Sequence, residues 1–179
     1  MKILLIVLLA IAGLVLLVLI AALFVKKEYA VEREITINKS KPEVYSYILL
    51  LKNQNNYSVW ATIDPAMKKE FRGTDGTVGF VSAWESEDKN VGKGEQEITK
   101  ISDGNRIDYE IRFTKPFKAI NPAYMITESL SENQTKVKWG FSGKMNYPMN
   151  LMMLFMDMEK MIGKDFENGL KKLKEILEK

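Results

Sequence analysis

The chain contains no His and no Cys, so any chemistry its side chains perform must come from Asp, Glu, Lys or Tyr. That removes Ser-His-Asp and Cys-His nucleophilic catalysis, and the usual zinc, copper and haem sites built on those ligands. No metal or cofactor is implied. Tyr109 and Glu128 remain as candidates for proton transfer. Glu128 shares a strand face with Tyr124, Ile126 and Leu130. Inside a cavity, burial would raise its pKa and fit it to act as a general acid or a ligand contact. The alternative places that face outward, with Met125 and Thr127 inside, and the cost of burying an unpaired acid favours it. Arg33, on the first strand, poses the same choice and receives the same answer. Asp64, Glu95, Glu97, Asp108 and Glu110 alternate along solvent faces, and no two form a catalytic pair. Gly73, Gly76, Gly79, Gly92 and Gly94 precede no Gly-Lys-Ser/Thr and open no helix, so they are read as hairpin turns rather than a phosphate loop.

The elements that must position these groups follow from periodicity. Tyr29 to Asn38 alternates as a strand, with Val31, Ile35 and Ile37 on one face. Ser40-Lys41-Pro42-Glu43 has the form of a capping box and opens a helix carrying Val44, Tyr45, Ile48 and Leu51. Residues 53–64 read as a short helix or a folded loop. Strands are expected over 67–72, 77–86, 91–102, 107–113, 123–130 and 135–142. One long helix is expected over 148–178, apolar nearly all round in its first half and amphipathic in its second. Grouped antiparallel strands with helices at the ends define an α+β class, a curved sheet wrapped around a long C-terminal helix.

Ahead of all this, Ile3 to Val25 is an unbroken apolar run. As a helix it would span roughly 35 Å, enough to cross a bilayer core. The rival reading, a cleaved signal peptide, suits a shorter run with a small-residue cleavage site. The expected division is therefore an N-terminal transmembrane anchor with a short basic flank, residues 1–27, and a domain over 28–179. Lys26 and Lys27 flank the membrane, and the excess of Lys and Arg after the helix favours the cytoplasmic side for the domain. Gly13 has no small partner four residues away, so the helix offers no GxxxG face, and a monomer is the default. The net charge of +3, with both signs interspersed, is an ordinary solvated surface and not a nucleic-acid footprint.

The domain resembles the SRPBCC superfamily, the START-like and birch-pollen-allergen-like helix-grip proteins, in its polyketide cyclase/dehydrase and lipid transport branch. The resemblance is carried by Val31-Glu32-Arg33-Glu34-Ile35-Thr36-Ile37-Asn38 leading into Lys41-Pro42-Glu43-Val44-Tyr45, by Asp64-Pro65-Ala66-Met67-Lys68, by Gly76-Thr77-Val78-Gly79 leading to Trp84-Glu85, by Val91-Gly92-Lys93-Gly94, and by Ile162-Gly163-Lys164-Asp165-Phe166 through Leu173. It implies a helix-grip fold with a cavity between sheet and C-terminal helix. It carries no catalytic motif.

The candidate lining is Phe80, Trp84, Tyr109, Ile111, Phe113, Trp139 and Phe141 from the sheet, with Met152, Phe155 and Met156 from the helix. The same residues would equally fill a solid core. Seven of the ten methionines lie between Met145 and Met161. Flexible, polarisable Met suits a surface that accepts varied apolar partners, so residues 149–156 are read as an adaptable gate facing lipid. The function expected is membrane-anchored binding, or local transport, of a hydrophobic small molecule or lipid. The alternatives are a cyclase-like or hydrolase-like enzyme acting through Tyr109 or Glu128, and a ligand-free interaction module.

Overall fold

A computed structural model describes residues 2–179. Helix α1 spans Lys2–Phe24. It is long and apolar enough to cross a membrane, and Ala22 is its one buried residue. Strand β1 (Glu28–Ile37) follows, then α2 (Lys41–Leu49), a 3₁₀ turn at Leu51–Asn53 and two single-turn helices, α3 (Gln54–Tyr57) and α4 (Trp60–Ile63). Six strands come next: β2 (Lys68–Arg72), β3 (Val81–Glu85), β4 (Lys93–Ser102), β5 (Arg106–Lys115), β6 (Ala119–Ser131) and β7 (Gln134–Lys144). A 3₁₀ segment at Met149–Leu154 leads to the closing helix α5 (Met158–Leu177).

The seven strands form one antiparallel sheet in the order β1-β7-β6-β5-β4-β3-β2. This is the helix-grip architecture that the alternation and the resemblance imply. Each strand sends every second side chain inward: Val31 and Ile37 from β1, Ile107 and Tyr109 from β5, Met125 from β6, and Val137 and Trp139 from β7 are all buried. Against them α5 presents Phe166, Leu170 and Leu173, and α2 presents Val44 and Ile48, all buried. Two glycines let α5 approach closely. A Cβ on Gly163 would lie 2.1 Å from the Arg33 guanidinium, and one on Gly169 would lie 2.9 Å from the Trp139 ring.

Three local expectations are corrected. Ser40 makes no side-chain capping bond; its backbone carbonyl accepts from the Val44 amide at 3.1 Å, and Glu43 pairs instead with Lys39 at 3.2 Å. The strand expected from residue 77 starts only at Val81, because turns over Thr74–Thr77 and Thr77–Phe80 and the positive φ of Gly79 interrupt the extended chain, although Gly79 and Phe80 still bond to Ile98 of β4. The single helix expected over 148–178 is broken at 155–157. Asp157 caps α5, its carboxylate accepting from the Lys160 amide at 2.9 Å. An acid at that position satisfies an orphan amide and fixes where the helix starts. The methionine-rich stretch before it has no polar stripe to hold it as an α-helix against the sheet.

Candidate functional site

Between the inner face of the sheet, α3, α4 and the 3₁₀ segment with α5 lies a cavity of about 770 Å³. Ligand pockets commonly run from about 300 to 1,000 Å³. Trp84, Ile111, Phe113, Trp139 and Phe141 from the sheet line it, together with Met152 and Met156. These are seven of the residues singled out from sequence, five of them gathered by the inward alternation of β3, β5 and β7 and the two methionines brought in by the segment before α5. Trp139 stacks on Phe166 with ring centroids 4.5 Å apart and meets Tyr57 edge-on at 5.6 Å. Trp84 packs edge-on against Phe113 at 5.9 Å and donates from its indole nitrogen to the Val91 carbonyl at 3.3 Å.

The other three candidates lie elsewhere. Phe80 is fully buried and stacks on Phe71 at 6.2 Å, away from the lining. Tyr109 is buried in the core, and burial pushes its phenol far above the usual range. Phe155 is 87% exposed, because the chain leaves the 3₁₀ segment there and turns toward solvent rather than continuing a helix.

The polar candidates also resolve. Glu128 lies on the outer face and pairs with Lys138 at 3.0 Å. That hydrogen bond lowers its pKa, the opposite of what a general acid at neutral pH needs. Met125 and Thr127 are buried on the other side of the strand. Arg33 is a correction. It faces α5, not the outer solvent, and its guanidinium reaches over Gly163 to Glu159 at 2.6 Å and Glu167 at 2.7 Å. Those two hydrogen bonds raise its pKa. It lies outside the cavity and clamps the helix to the sheet edge.

Sequence reasoning passed over several lining residues. Asn121 is buried, lines the cavity and donates to the Ser142 carbonyl at 3.1 Å. Continuing the Met125/Thr127 alternation two steps back would have reached it. Gln54, Ser58 and Trp60 line the wall from α3, the residue that ends it and α4, where no periodicity marks an inward face. No Asp or Glu is among the described lining residues; the charged ones are Lys69, Lys118 and Lys144. The walls can therefore bury an apolar body and orient it with amides and hydroxyls, and they offer no carboxylate for proton transfer.

The mouth is apolar and exposed. Phe117, Tyr147, Met149 and Met152 all line the cavity while remaining substantially open to solvent. The end of α1 lies beside it. The Asn150 side-chain amide donates to the carbonyls of Ala22 at 2.7 Å and Val25 at 3.0 Å, and the Met145 amide donates to the Lys27 carbonyl at 2.8 Å. Asn150 thus satisfies carbonyls that a helix C-terminus leaves without partners.

A fold of this kind around an apolar cavity defines a helix-grip protein. The chain belongs to the polyketide cyclase/dehydrase and lipid transport family, which matches residues 29–178. Among solved structures it is similar to a norcoclaurine synthase point mutant of Thalictrum flavum in complex with a transition-state analogue (8% identity, TM-score 0.62, covering 84% of this chain and 94% of that one). It is also similar to a protein of Thermus thermophilus (18%, TM-score 0.60, 83% and 97%) and to the Aha1 dimer of Colwellia psychrerythraea (16%, TM-score 0.57, 84% and 96%). At these identities the likeness is one of fold. No curated protein sequence matches the chain.

Proposed function

We propose that this chain is a membrane-anchored binding protein that holds a hydrophobic small molecule or lipid between its sheet and α5. The observation that carries this reading is the 770 Å³ cavity, walled by aromatic and methionine side chains with no carboxylate among its described lining. Burying ligand surface there would contribute about 25 cal/mol per Å², and the Asn121 and Gln54 amides would fix orientation.

The anchor is α1, and Asn150 ties its last turn to the segment that borders the mouth. C-terminal carbonyls of the helix capped by the domain support an uncleaved anchor over a cleaved leader, because removing the helix would leave the buried Asn150 amide without those acceptors. Lys26 and Lys27 then lie at the headgroups, and the positive-inside rule favours the cytoplasmic side for the domain.

The test is native mass spectrometry of the full chain released from detergent micelles, with extraction of whatever remains bound. One apolar molecule per chain is expected, on a chain whose mass includes α1. A chain recovered empty that also takes up no fluorescent fatty acid would make the aromatic stripe a closed core and overturn the reading.

A further inference from the structure

The charged residues that line the cavity have one sign. Lys69, Lys118 and Lys144 line it and no Asp or Glu does, among the described residues. Two of these lysines are engaged: the Lys69 ammonium donates to the Ala61 carbonyl at 3.2 Å, and Lys144 lies 3.2 Å from Glu28. Lys118 makes no hydrogen bond or ion pair among the described residues. It sits in the turn between β5 and β6, directly after Phe117, which lines the mouth and is 68% exposed.

Charge is confined to the exposed part of the described lining, where Lys69, Lys118 and Lys144 lie. Leu51, Ala123, Trp139 and Phe166 line it while being almost wholly buried, with the amides of Gln54 and Asn121 among them, whereas Phe117 and Lys118 line it at the surface. An apolar interior ending in an exposed ammonium is complementary to a molecule with a long apolar body and a negative end. Lys115 ends β5, three residues before Lys118, and Lys27 lies beside the lining residue Met145, whose amide donates to its carbonyl; neither forms an ion pair among the described residues, while Glu28 beside Lys27 is taken up by Lys144. Summed like charges at a low-dielectric opening concentrate anions there.

We propose that the ligand is an acyl amphiphile with an anionic head, a phosphate or a carboxylate, whose chain lies among the aromatic walls and whose head rests on Lys118 at the mouth. This rests on the reading of the cavity as a hydrophobic site and adds the class of molecule it takes.

The experiment uses the full chain in phosphatidylcholine nanodiscs. All three tryptophans, Trp60, Trp84 and Trp139, line the cavity and none lies in α1, so quenching of their fluorescence by brominated chains reports occupancy. The probes are dibromostearate, dibromostearoyl phosphatidylglycerol and neutral dibromostearyl alcohol. At least one anionic probe should reach half-quenching at about fivefold lower concentration than the alcohol, the effect of about one lysine near a surface. Stearate alone would indicate a free acid, and phosphatidylglycerol alone a bilayer phospholipid. Lys118→Glu should erase the preference for an anionic probe over the alcohol measured on the same variant, and Lys118→Gln should reduce it partway. If the alcohol quenches as well as both anionic probes, the anionic head is wrong and the hydrophobic site stands; if the preference survives Lys118→Glu, the head does not rest on Lys118 and the proposal is overturned. If no probe quenches, both readings fall.

Discussion

The side chain of Asn150 holds the carbonyl of Ala22, 128 residues earlier in the chain, at 2.7 Å. Neither residue is exposed to any extent. The contact joins the end of the apolar helix to the 3₁₀ segment that borders the cavity, so any movement of that segment is made against α1. Replacing Asn150 with Ala should leave the Ala22 and Val25 carbonyls without that donor, at a cost of about 1–3 kcal/mol. The expected outcome is faster amide hydrogen exchange over residues 145–156 with exchange in the central strands unchanged. Equal protection in both chains would mean the contact holds nothing in place.

Gly163 and Gly169 lie on the same helix and should respond differently to alanine. At Gly163 the new methyl would meet the far end of Arg33, a flexible side chain that can swing aside. The lost pairing is offset by the gain in helix propensity, about 1 kcal/mol, so stability should change little. At Gly169 the methyl would meet the Trp139 ring at 2.9 Å and the Tyr57 carbonyl oxygen at 3.2 Å. Neither can yield without disturbing the stacked pair of Trp139 and Phe166, and overpacking of this kind costs about 1–3 kcal/mol. Thermal unfolding of the two variants of the full chain in detergent should separate them clearly. Equal midpoints would show that α5 is looser on the sheet than these distances imply.

Much of this was legible beforehand because strands announce themselves by alternation. In β5 and β7 every second residue is apolar, and those positions became core or cavity wall as the period demands. Arg33 shows how a charge can mislead. The alternation of Val31, Ile35 and Ile37 already put it on the inner face, and only its charge argued otherwise. What sequence does not display is the glycine opposite it, Gly163, which makes room for a guanidinium beside the helix. The break before α5 was hidden because residues 149–156 are apolar nearly all round and carry no period, while the lone signal, Asp157, sits just before a run of clear helical period. The Asn150–Ala22 contact was not legible at all, since a side-chain bond across 128 residues leaves no local pattern.

The outer face of the sheet makes stability depend on acid. Arg112 reaches Glu95 at 2.8 Å, Glu97 at 2.7 Å and Glu110 at 2.6 Å, and Arg72 joins the cluster through Glu95. The hydrogen bond from Arg72, followed by that from Arg112, holds the Glu95 carboxyl below the usual range. A carboxylate with a depressed folded-state pKa contributes stability above its unfolded pKa of about 4.3 and loses it as pH falls through the folded value. Glu95→Gln should therefore lower stability at neutral pH by about 1 kcal/mol, with the gap to the parent closing in the acid range. Thermal midpoints measured across that range check this. A gap that stays constant with pH would mean the loss comes from packing rather than from the charge.

Met152 and Phe155 test which side of the 3₁₀ segment serves the cavity. They are three residues apart, and both were candidates for its lining. Met152 lines the cavity, whereas Phe155 points away and is 87% exposed. An aspartate at 152 would put a carboxylate into a described lining that has none, and would require a buried ligand to lie against it. An aspartate at 155 would touch neither the wall nor the lysines. Met152→Asp should lower occupancy by an apolar probe about tenfold or more, equivalent to about 1.4 kcal/mol, while Phe155→Asp should leave it near the parent value. Tryptophan quenching by dibromostearyl alcohol measures both, because a neutral probe reports the wall and not the head. If the two variants lose occupancy equally, the segment acts as a whole and the cavity is not bounded where Met152 places it.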